Sequence, residues 1–198
     1  MKPISYSELL KTKEKSKITY QDLLCTDEWK NKRKQIISRD NKRCTKCNLS
    51  ETNGFAHYDE KTKIYSYITD NGKEEIRYVI NKEGIVVCES IAIIIIVNKP
   101  YHLQVHHKYY IYNNLPWDYD QEALIALCNW CHAEVHQNEK IHMYDNFDQI
   151  SFQELIPCNR CNGTGWFSQY SHIQGGICFK CNGRRFKKKL INYDENFI

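Results

Sequence analysis

The sequence lacks an apolar run long enough to cross a membrane. Its most apolar stretch, "IAIIIIV" at 91–97, is far shorter than the roughly 20 residues that a helical span needs. The opening residues "MKPISYSELL" lack the apolar core and small-residue cleavage site of a secretory signal. A mean hydropathy of −0.66 is typical of a soluble protein, so we expect a cytoplasmic protein with no membrane partner.

The chain also lacks a strong excess of one charge, since its net charge is +4. The basic residues are nevertheless clustered, in "KTKEKSK" at 11–17, "KNKRK" at 30–34 and "RRFKKK" at 184–189. Such runs are often solvated faces that bind nothing. Two of the three lie beside a predicted zinc unit, which favours a nucleic acid as partner. The residues expected to contact it are Lys30, Lys32, Arg33, Lys34, Arg184, Arg185, Lys187, Lys188 and Lys189.

Cysteine is abundant, and eight of the ten cysteines form four CxxC pairs. The pairs are Cys44/Cys47, Cys128/Cys131, Cys158/Cys161 and Cys178/Cys181. In a reducing compartment this pattern indicates zinc rather than disulfides, with two four-thiolate sites. We favour one site from the first two pairs and one from the last two, which are close in sequence. The alternative joins each of the first two pairs to a C-terminal pair. The remaining Cys25 and Cys88 are expected to be buried.

Residues 128–136, "CNWCHAEVH", place four metal-ligand side chains within nine residues. One tetrahedral ion can take a CxxC pair and an HxxxH pair when an intervening chain of about a dozen residues lets them approach from different sides. Here Cys131 and His132 are adjacent, so one ion is poorly placed to gather all four. His132 and His136 would share one face of a helix. We therefore predict two centres, one of cysteines and one of histidines.

The periodicity predicts helices in residues 1–43, with Thr26 as the N-cap of the helix that leads to the first CxxC pair. Residues 55–102 are rich in β-branched and aromatic residues and predict an inserted β-meander. Its breaks fall at Asn71-Gly72, the stronger hairpin signal, and at Glu83-Gly84. We expect the isoleucine-rich strand to be central, because an exposed edge of that kind would aggregate. Residues 103–140 follow as strand, loop, strand and helix.

This last segment resembles the HNH endonucleases, the ββα-metal nuclease family, and the resemblance covers roughly residues 26–139. It lies in "VHHKYY" at 105–110 and "LCNWCHAEVH" at 127–136, where a strand ending in His-His is followed by a second strand, "LC..CH" and a further His. The resemblance implies a metal-dependent enzyme that hydrolyses phosphodiester bonds of DNA. In such enzymes the second His of the pair is the general base, and the first binds one divalent cation together with the helical histidines.

Carried onto this chain, the resemblance makes His107 the base that activates water and gives the cation to His106, His132 and His136. Neutral imidazole suits a base at physiological pH, and a cation neutralises charge at a scissile phosphate. The cation could be Mg²⁺, Mn²⁺, Ni²⁺ or Zn²⁺, and imidazole ligation favours a transition metal. Lys108 is expected to contact the substrate.

The sequence departs from the family at the middle Asn, whose place is taken by Ala123. Asn113 or Asn114 in the preceding loop could brace that loop instead, although their register differs. Where Asn is itself a metal ligand this change would be damaging, whereas histidine ligands make it more tolerable. The departure bears on activity more than on fold.

The C-terminal segment resembles half of the cysteine-rich domain of J-protein chaperones. "CNRCNGTG" at 158–165 matches the CxxCxGxG repeat, and "CFKCNGRR" at 178–185 matches it except that Arg185 replaces the final glycine. The resemblance implies one zinc held by Cys158, Cys161, Cys178 and Cys181. With one such centre and no J-domain, phosphate contact is a better expectation than chaperone activity.

The sequence thus predicts an α+β protein, with a ββα-metal core, an N-terminal helix and an inserted β-meander, followed by a small four-cysteine zinc module. The expected units are a basic helical region at 1–43, a nuclease-like domain at 44–145 with its insert at 55–102, and the zinc module at 157–190. Two structural Zn²⁺ ions and one catalytic divalent cation are expected, and the oligomeric state stays open.

Two other functions compete with the nuclease. An HNH-fold zinc protein without turnover could bind DNA or RNA, and Ala123 favours it. A protein-binding adaptor built on the C-terminal zinc module is the third hypothesis. The adaptor predicts no salt-dependent affinity for nucleic acid, whereas the first two hypotheses require it.

Overall fold

The chain forms small sheets and short helices around clusters of cysteine and histidine. The structure, a computed structural model, describes residues 4–62, 64–167, 170 and 172–191, with the backbone alone at 53–57, 64–65, 68–79 and 87–95. The helices are α1 (Tyr6–Thr12), α2 (Tyr20–Leu23), α3 (Asp27–Arg39) and α4 (Asn129–Asn138). The strands are β1 (Thr52–Asp59), β2 (Ile64–Ile80), β3 (Val86–Val97), β4 (Leu103–His107), β5 (Tyr110–Ile111), β6 (Leu124–Cys128), β7 (His142–Tyr144) and β8 (Phe152–Glu154). Short 3-10 turns lie at Lys15–Lys17, Gln121–Ala123 and Gln174–Gly176. Among the described residues, no helix has the length and apolar character needed to cross a membrane.

Helix α3 begins where the sequence predicts. The hydroxyl of Thr26 accepts a hydrogen bond from the Trp29 amide, and Asp27 and Glu28 lie in the first turn, where acidic groups favour the helix dipole. Trp29 and Ile36 are buried against β4 and β6. Burial of side chains of this size contributes about 1.5–3 kcal/mol each, so packing holds this basic helix on the protein.

The β insert differs from the prediction in two respects. Asn71-Gly72 forms no hairpin, because β2 continues through it as one strand, with an irregular register against β3 between Asp70 and Glu74. The order β1-β2-β3 makes β2 central, so the isoleucine-rich β3 lies at an edge of this sheet. The predicted turn at Glu83-Gly84 is confirmed, since Gly84 has a φ of 79° between β2 and β3.

The segment after the insert forms an antiparallel strand pair followed directly by a helix. Strand β4 pairs with β6 in the register Leu103↔Cys128 to His107↔Leu124, and α4 starts at the residue after β6. The edge of β6 that does not pair with β4 forms hydrogen bonds with the chain that follows α3. The Asp40 carboxylate accepts from the Ala126 amide at 2.8 Å, and the Thr45 amide donates to the Ala126 carbonyl at 2.9 Å.

The two ends of the described chain share a core, which we call the terminal core. It contains buried side chains from α1 and α2, from β5 and β7, and from the segment after the last CxxC pair. Its buried members are Leu9, Ile18, Tyr20, Leu23, Tyr110, Ile141, Met143, Leu155, Phe186, Leu190 and Ile191. The C-terminal segment therefore packs on the N-terminal helices. The domain boundaries expected from sequence stay a prediction.

Of the two cysteines outside the CxxC pairs, the structure describes the side chain of Cys25. Cys25 was expected to be buried, and that prediction is wrong, because its side chain is exposed at the turn after α2. The Gln21 amide approaches its sulfur at 4.0 Å, at the limit of a hydrogen bond. The side chain of Cys88 lies outside the described residues.

Candidate metal centres and active site

The cysteines gather into two quartets, in the pairing favoured from sequence. In each, the four sulfurs lie within 4.8 Å of one another. The first quartet is Cys44, Cys47, Cys128 and Cys131, and the second is Cys158, Cys161, Cys178 and Cys181. The prediction of two sites able to hold zinc is confirmed to this extent.

Sulfur separations in both quartets fit tetrahedral zinc. A zinc with Zn–S bonds of about 2.3 Å separates its sulfurs by about 3.8 Å. The Cys47 and Cys128 sulfurs are 3.8 Å apart, and the Cys161 and Cys181 sulfurs are 3.7 Å apart. In both CxxC pairs of the first quartet, the sulfur of the first cysteine accepts a hydrogen bond from the backbone amide of the second. The distance is 3.5 Å from the Cys47 amide to Cys44 and 3.4 Å from the Cys131 amide to Cys128. The residues present therefore suit this ion.

Charge explains why these thiols need a cation. In the first quartet, burial raises the pKa of Cys131 to about 12, and the hydrogen bond with Cys128 lowers the pKa of Cys44 to about 4. In the second, burial raises the pKa of Cys161 to about 12. Four sulfurs this close do not all ionise without a compensating charge, and a divalent cation supplies it.

The second quartet is built from two knuckles of matching backbone. Asn162 and Gly163 have φ values of 46° and 79°, and their counterparts Asn182 and Gly183 have 48° and 75°. Gly165 and its counterpart Arg185 both have a φ of 72°. Arginine at a left-handed position carries backbone strain of about 1–3 kcal/mol that glycine avoids.

Three histidines form a third cluster, which we call the histidine centre. His106 comes from β4, and His132 and His136 come from one face of α4, four residues apart. Their ligand atoms lie within 4.8 Å of one another, and the Nε2 atoms of His132 and His136 are 3.2 Å apart. A tetrahedral ion with Zn–N bonds of about 2.0–2.1 Å separates two nitrogens by about 3.3–3.4 Å. The arrangement suits one divalent cation, whose identity and role stay predictions.

Burial keeps the histidine centre neutral. The three side chains are 3–5% exposed, and the Nδ1 atom of each is buried with no hydrogen-bond partner among the described residues. Burial lowers the pKa of His106 to about 3 and that of His136 to about 2, and the positive charge of Arg185 acts in the same direction. Neutral imidazole is the form that binds a metal.

His107 lies next to the histidine centre in sequence but in a different environment. Its ring stacks on Trp29 and Tyr110, with ring centres 5.0 and 5.1 Å away, and it meets Tyr119 edge to face with the ring centres 4.9 Å apart. Its Nε2 is 2.9 Å from the Pro116 carbonyl, which can accept a hydrogen bond but not donate one. The hydrogen of neutral His107 therefore lies on Nε2, and Nδ1 is left as the basic atom.

Burial also sets the charge of His107. The side chain is 2% exposed, and burial lowers its pKa to about 3, against the opposing effect of the hydrogen bond to Pro116. The imidazole is thus neutral at physiological pH, which is the state a general base needs before it accepts a proton.

The loop between β5 and β6 contains Ala123, at the position where the HNH family has Asn, and the two asparagines considered as its substitutes. Ala123 is 2% exposed, and its carbonyl accepts from the Lys108 amide at 2.9 Å. Asn114 braces the loop, since its side-chain amide donates to the Asp118 carbonyl at 2.6 Å. Asn113 has a φ of 61° and also lies in this loop.

The basic residues expected on a nucleic-acid surface divide into two groups. Three point inward and donate to backbone carbonyls, Lys32 to Tyr119, Arg33 to Leu103 and Arg185 to Gly163. For Lys32 and Arg33, the structure thus shows a role in fixing α3 on the protein. Lys30 is half-buried, and the others are exposed, namely Lys34, Lys108, Arg184, Lys187, Lys188 and Lys189.

Sequence reasoning missed the surroundings of His107. Tyr20, Trp29, Tyr110 and Tyr119 come from four separate places in the chain, and they share no spacing that relates them to a histidine. It also missed that Arg185 turns toward the histidines. The one available signal was that Arg185 stands where the repeat has glycine.

Comparison with known proteins identifies no relative. No family model matches the chain, and no curated protein or solved structure matches it.

Proposed function

We propose that this protein is a metal-dependent endonuclease of the HNH type that hydrolyses phosphodiester bonds of DNA. The observation that carries the proposal is the histidine centre, three buried neutral imidazoles from β4 and α4 with ligand atoms within 4.8 Å of one another. Beside it, His107 belongs to a separate pocket and keeps Nδ1 as a basic atom. A metal site next to an independent base is what hydrolysis of a phosphodiester requires.

His106, His132 and His136 would hold the divalent cation. When bound, it supplies charge that offsets the negative charge developing at the scissile phosphate and the leaving oxygen. The three donors are all imidazoles, which favours Ni²⁺ or Zn²⁺ over Mg²⁺. The first quartet serves this site indirectly, because Cys128 and Cys131 fix the start of α4, from which His132 and His136 project.

His107 would take the proton from the attacking water. The Pro116 carbonyl holds the ring by its Nε2 hydrogen, so Nδ1 is the atom that accepts the proton. The imidazolium that results lies parallel to Trp29, with an interplanar angle of 15°. A cation over an indole face gains about 0.5–2 kcal/mol, so Trp29 helps a buried histidine to accept charge.

DNA as the substrate is supported by the exposed basic side chains of the C-terminal segment. Arg184 and Lys187 line a cleft of about 540 Å³ together with Lys180, and the first two belong to the basic run. Lysine and arginine on one face neutralise phosphates without regard to sequence. We therefore assign this face to the DNA backbone.

A second candidate is a DNA- or RNA-binding protein that does not turn over substrate. Two observations favour it, namely the buried Ala123 at the Asn position and the low exposure, 2–5%, of all four histidines. Under this alternative the histidine centre holds an ion that stabilises the fold, and the basic face does the binding.

Plasmid nicking in a metal series tests the proposal against this alternative. Purified protein is treated with EDTA, and Mg²⁺, Mn²⁺, Ni²⁺ and Zn²⁺ are then restored separately, with zinc measured on the same samples. The nuclease predicts that cleavage disappears with EDTA and returns with at least one metal while about two zinc per chain are retained. Full zinc content with DNA binding but no cleavage under any metal would favour the second candidate.

A further inference from the structure

Arg185 belongs to the second zinc knuckle, yet its side chain is turned toward the histidines. The residue is 5% exposed, and its Nε donates to the Gly163 carbonyl at 2.8 Å. The guanidinium lies 5.8 Å from the centre of the Tyr110 ring and 5.9 Å from those of Tyr20 and Phe186. These rings hold the planar group in one place.

The groups that hold Arg185 also contact the histidines on both sides. A Cβ placed on Gly163 would lie 3.0 Å from Nδ1 of His136, so the carbonyl partner of Arg185 belongs to the wall of the histidine centre. On the other side, the Tyr110 ring stacks on His107 at 5.1 Å. The guanidinium thus lies between Gly163, which is next to the histidine centre, and Tyr110, which is next to His107.

Among the described residues, the charge of Arg185 meets aromatic rings and one carbonyl rather than a carboxylate. No carboxylate of the described residues forms an ion pair with it, and its two terminal nitrogens donate to no described residue. A nearly buried cation of this kind is stabilised when an anion binds to it, and the planar guanidinium matches the geometry of a phosphate.

The backbone indicates that arginine is kept here at a cost. Arg185 has the same left-handed φ of 72° as Gly165, its counterpart in the first knuckle. Glycine is the residue that this conformation favours, so the backbone of the knuckle does not account for the arginine. Strained residues of this kind cluster at binding and catalytic sites.

We propose that Arg185 binds the scissile phosphate of the DNA held at the histidine centre, so that the C-terminal zinc module contributes one residue to the active site. This inference rests on the proposed nuclease function for the identity of the anion. Arg185 lies beside the cation site, and the two positive groups would contact different oxygens of one phosphate.

DNA affinity in a background without turnover tests the inference directly. In His107→Ala protein, the affinity for a duplex oligonucleotide is measured by fluorescence anisotropy across a salt series, with Arg185→Gly, Arg185→Lys and the control Arg160→Gln. Arg160 is an exposed arginine of the same module that stacks on Phe179. We expect Arg185→Gly to weaken binding about tenfold or more and to lower the salt slope by about one, while Arg160→Gln changes neither.

Folding is controlled within the same set. Glycine suits the backbone at 185, so Arg185→Gly should keep two zinc per chain and its thermal midpoint, and Arg185→Lys should keep the salt slope but recover affinity only in part. In the active background, Arg185→Gly should slow single-turnover cleavage about a hundredfold. Unchanged affinity and salt slope in a zinc-loaded Arg185→Gly protein would overturn the inference.

The two proposals fail in distinguishable ways. Cleavage by the wild type, with Arg185→Gly cutting and binding as well as its parent, removes Arg185 from the site and leaves the nuclease standing. If the wild type cleaves DNA with none of the metals while Arg185→Gly still weakens DNA binding, the nuclease proposal fails and Arg185 belongs to a phosphate site that serves binding alone.

Discussion

At the scale of single residues, the position of one hydrogen distinguishes His107 from the three histidines beside it. The Pro116 carbonyl fixes that hydrogen on Nε2, and aromatic rings fix the plane of the imidazole. The histidine centre has the opposite character, since its Nδ1 atoms lack partners and two of its Nε2 atoms face each other. Under the proposed function, the same side chain would serve as base in one environment and as ligand in the other.

Neutral, buried histidines make the metal-free protein sensitive to acid. The folded pKa values of His106 and His136, about 3 and about 2, lie below the value of 6.5 that an unfolded histidine has. The unfolded state therefore binds more protons below pH 6.5. Stability is highest above that pH and is lost as the pH falls toward 3.

Replacement of one ligand should reduce this acid sensitivity. Between pH 5 and 6.5, His136→Gln should lower the slope of the unfolding free energy against pH by about one proton, or about 1.4 kcal/mol per pH unit. Urea unfolding of protein that retains two zinc per chain but no further metal measures it. The control His102→Gln, at an exposed position, should leave the slope unchanged. Equal slopes for His136→Gln and the wild type would contradict the neutral, buried centre.

Residue chemistry also decides what the sequence could predict. The cysteine pairing and the pairing of His132 with His136 were predictable, because metal ligands need particular donor atoms at fixed spacings. The place of His106 beside them was implied only by the resemblance to the HNH endonucleases. The inward turn of Lys32 and Arg33 was not predictable, since a long side chain goes where tertiary structure offers a carbonyl. The position of Arg185 depends on the packing of the two chain ends, which leaves no local pattern.

At the scale of elements, the first quartet joins α4 to β6 and to the chain that follows α3. Its sulfurs come from the chain after α3, from the end of β6 and from the first turn of α4. Leu103, Leu127 and Val135 pack with Cys44, Cys128 and Cys131 in one buried cluster. One ion would therefore connect three elements whose mutual position sets the histidine centre.

Loss of one sulfur should release that connection. Cys44→Ser should remove about one zinc per chain and lower the thermal midpoint strongly, because the binding free energy of structural zinc is about 10 kcal/mol or more. Zinc analysis and calorimetry measure the two effects. The control Cys25→Ser alters an exposed cysteine outside both quartets and should change neither. Retention of full zinc by Cys44→Ser would contradict the assignment of the quartet.

The β insert shows why turn signals in sequence can mislead. Asn71-Gly72 favours a hairpin, yet continuous pairing of β2 with β3 satisfies more backbone groups than an early turn would. The cost is the register irregularity between Asp70 and Glu74. Strand order likewise follows from the short connections between consecutive strands, which make β2 central whatever the apolar content of β3.

The insert should be removable without damage to the centres. Its two ends meet, because the Thr52 amide donates to the Tyr101 carbonyl at 3.0 Å and the Tyr101 amide donates to the Thr52 hydroxyl at 3.1 Å. Replacement of residues 54–99 by a short glycine linker should therefore leave zinc content and metal-dependent nicking near wild type. Loss of zinc or of activity from soluble deleted protein would show that the insert supports the site.

At the scale of the whole molecule, the second zinc module belongs to the same body as the N-terminal helices. Phe186, Leu190 and Ile191 lie in the terminal core with residues from α1 and α2, and Phe186 also lies 6.4 Å from the ring of His136. The sequence indicates a self-contained module at 157–190, and its cysteine pairing could be predicted. Its docking could not, because the apolar side chains concerned are scattered over both ends of the chain.

The central claim is that His107 is the base of a metal-dependent nuclease, and plasmid nicking by His107→Ala tests it most directly. The matched control is His102→Ala, an exposed histidine five residues away near the start of β4. We expect the wild type and His102→Ala to nick plasmid DNA with the same metal, and His107→Ala to lose at least a hundredfold in rate while it retains its zinc. Equal nicking by the wild type and His107→Ala, or no nicking by the wild type with any metal, would contradict the account.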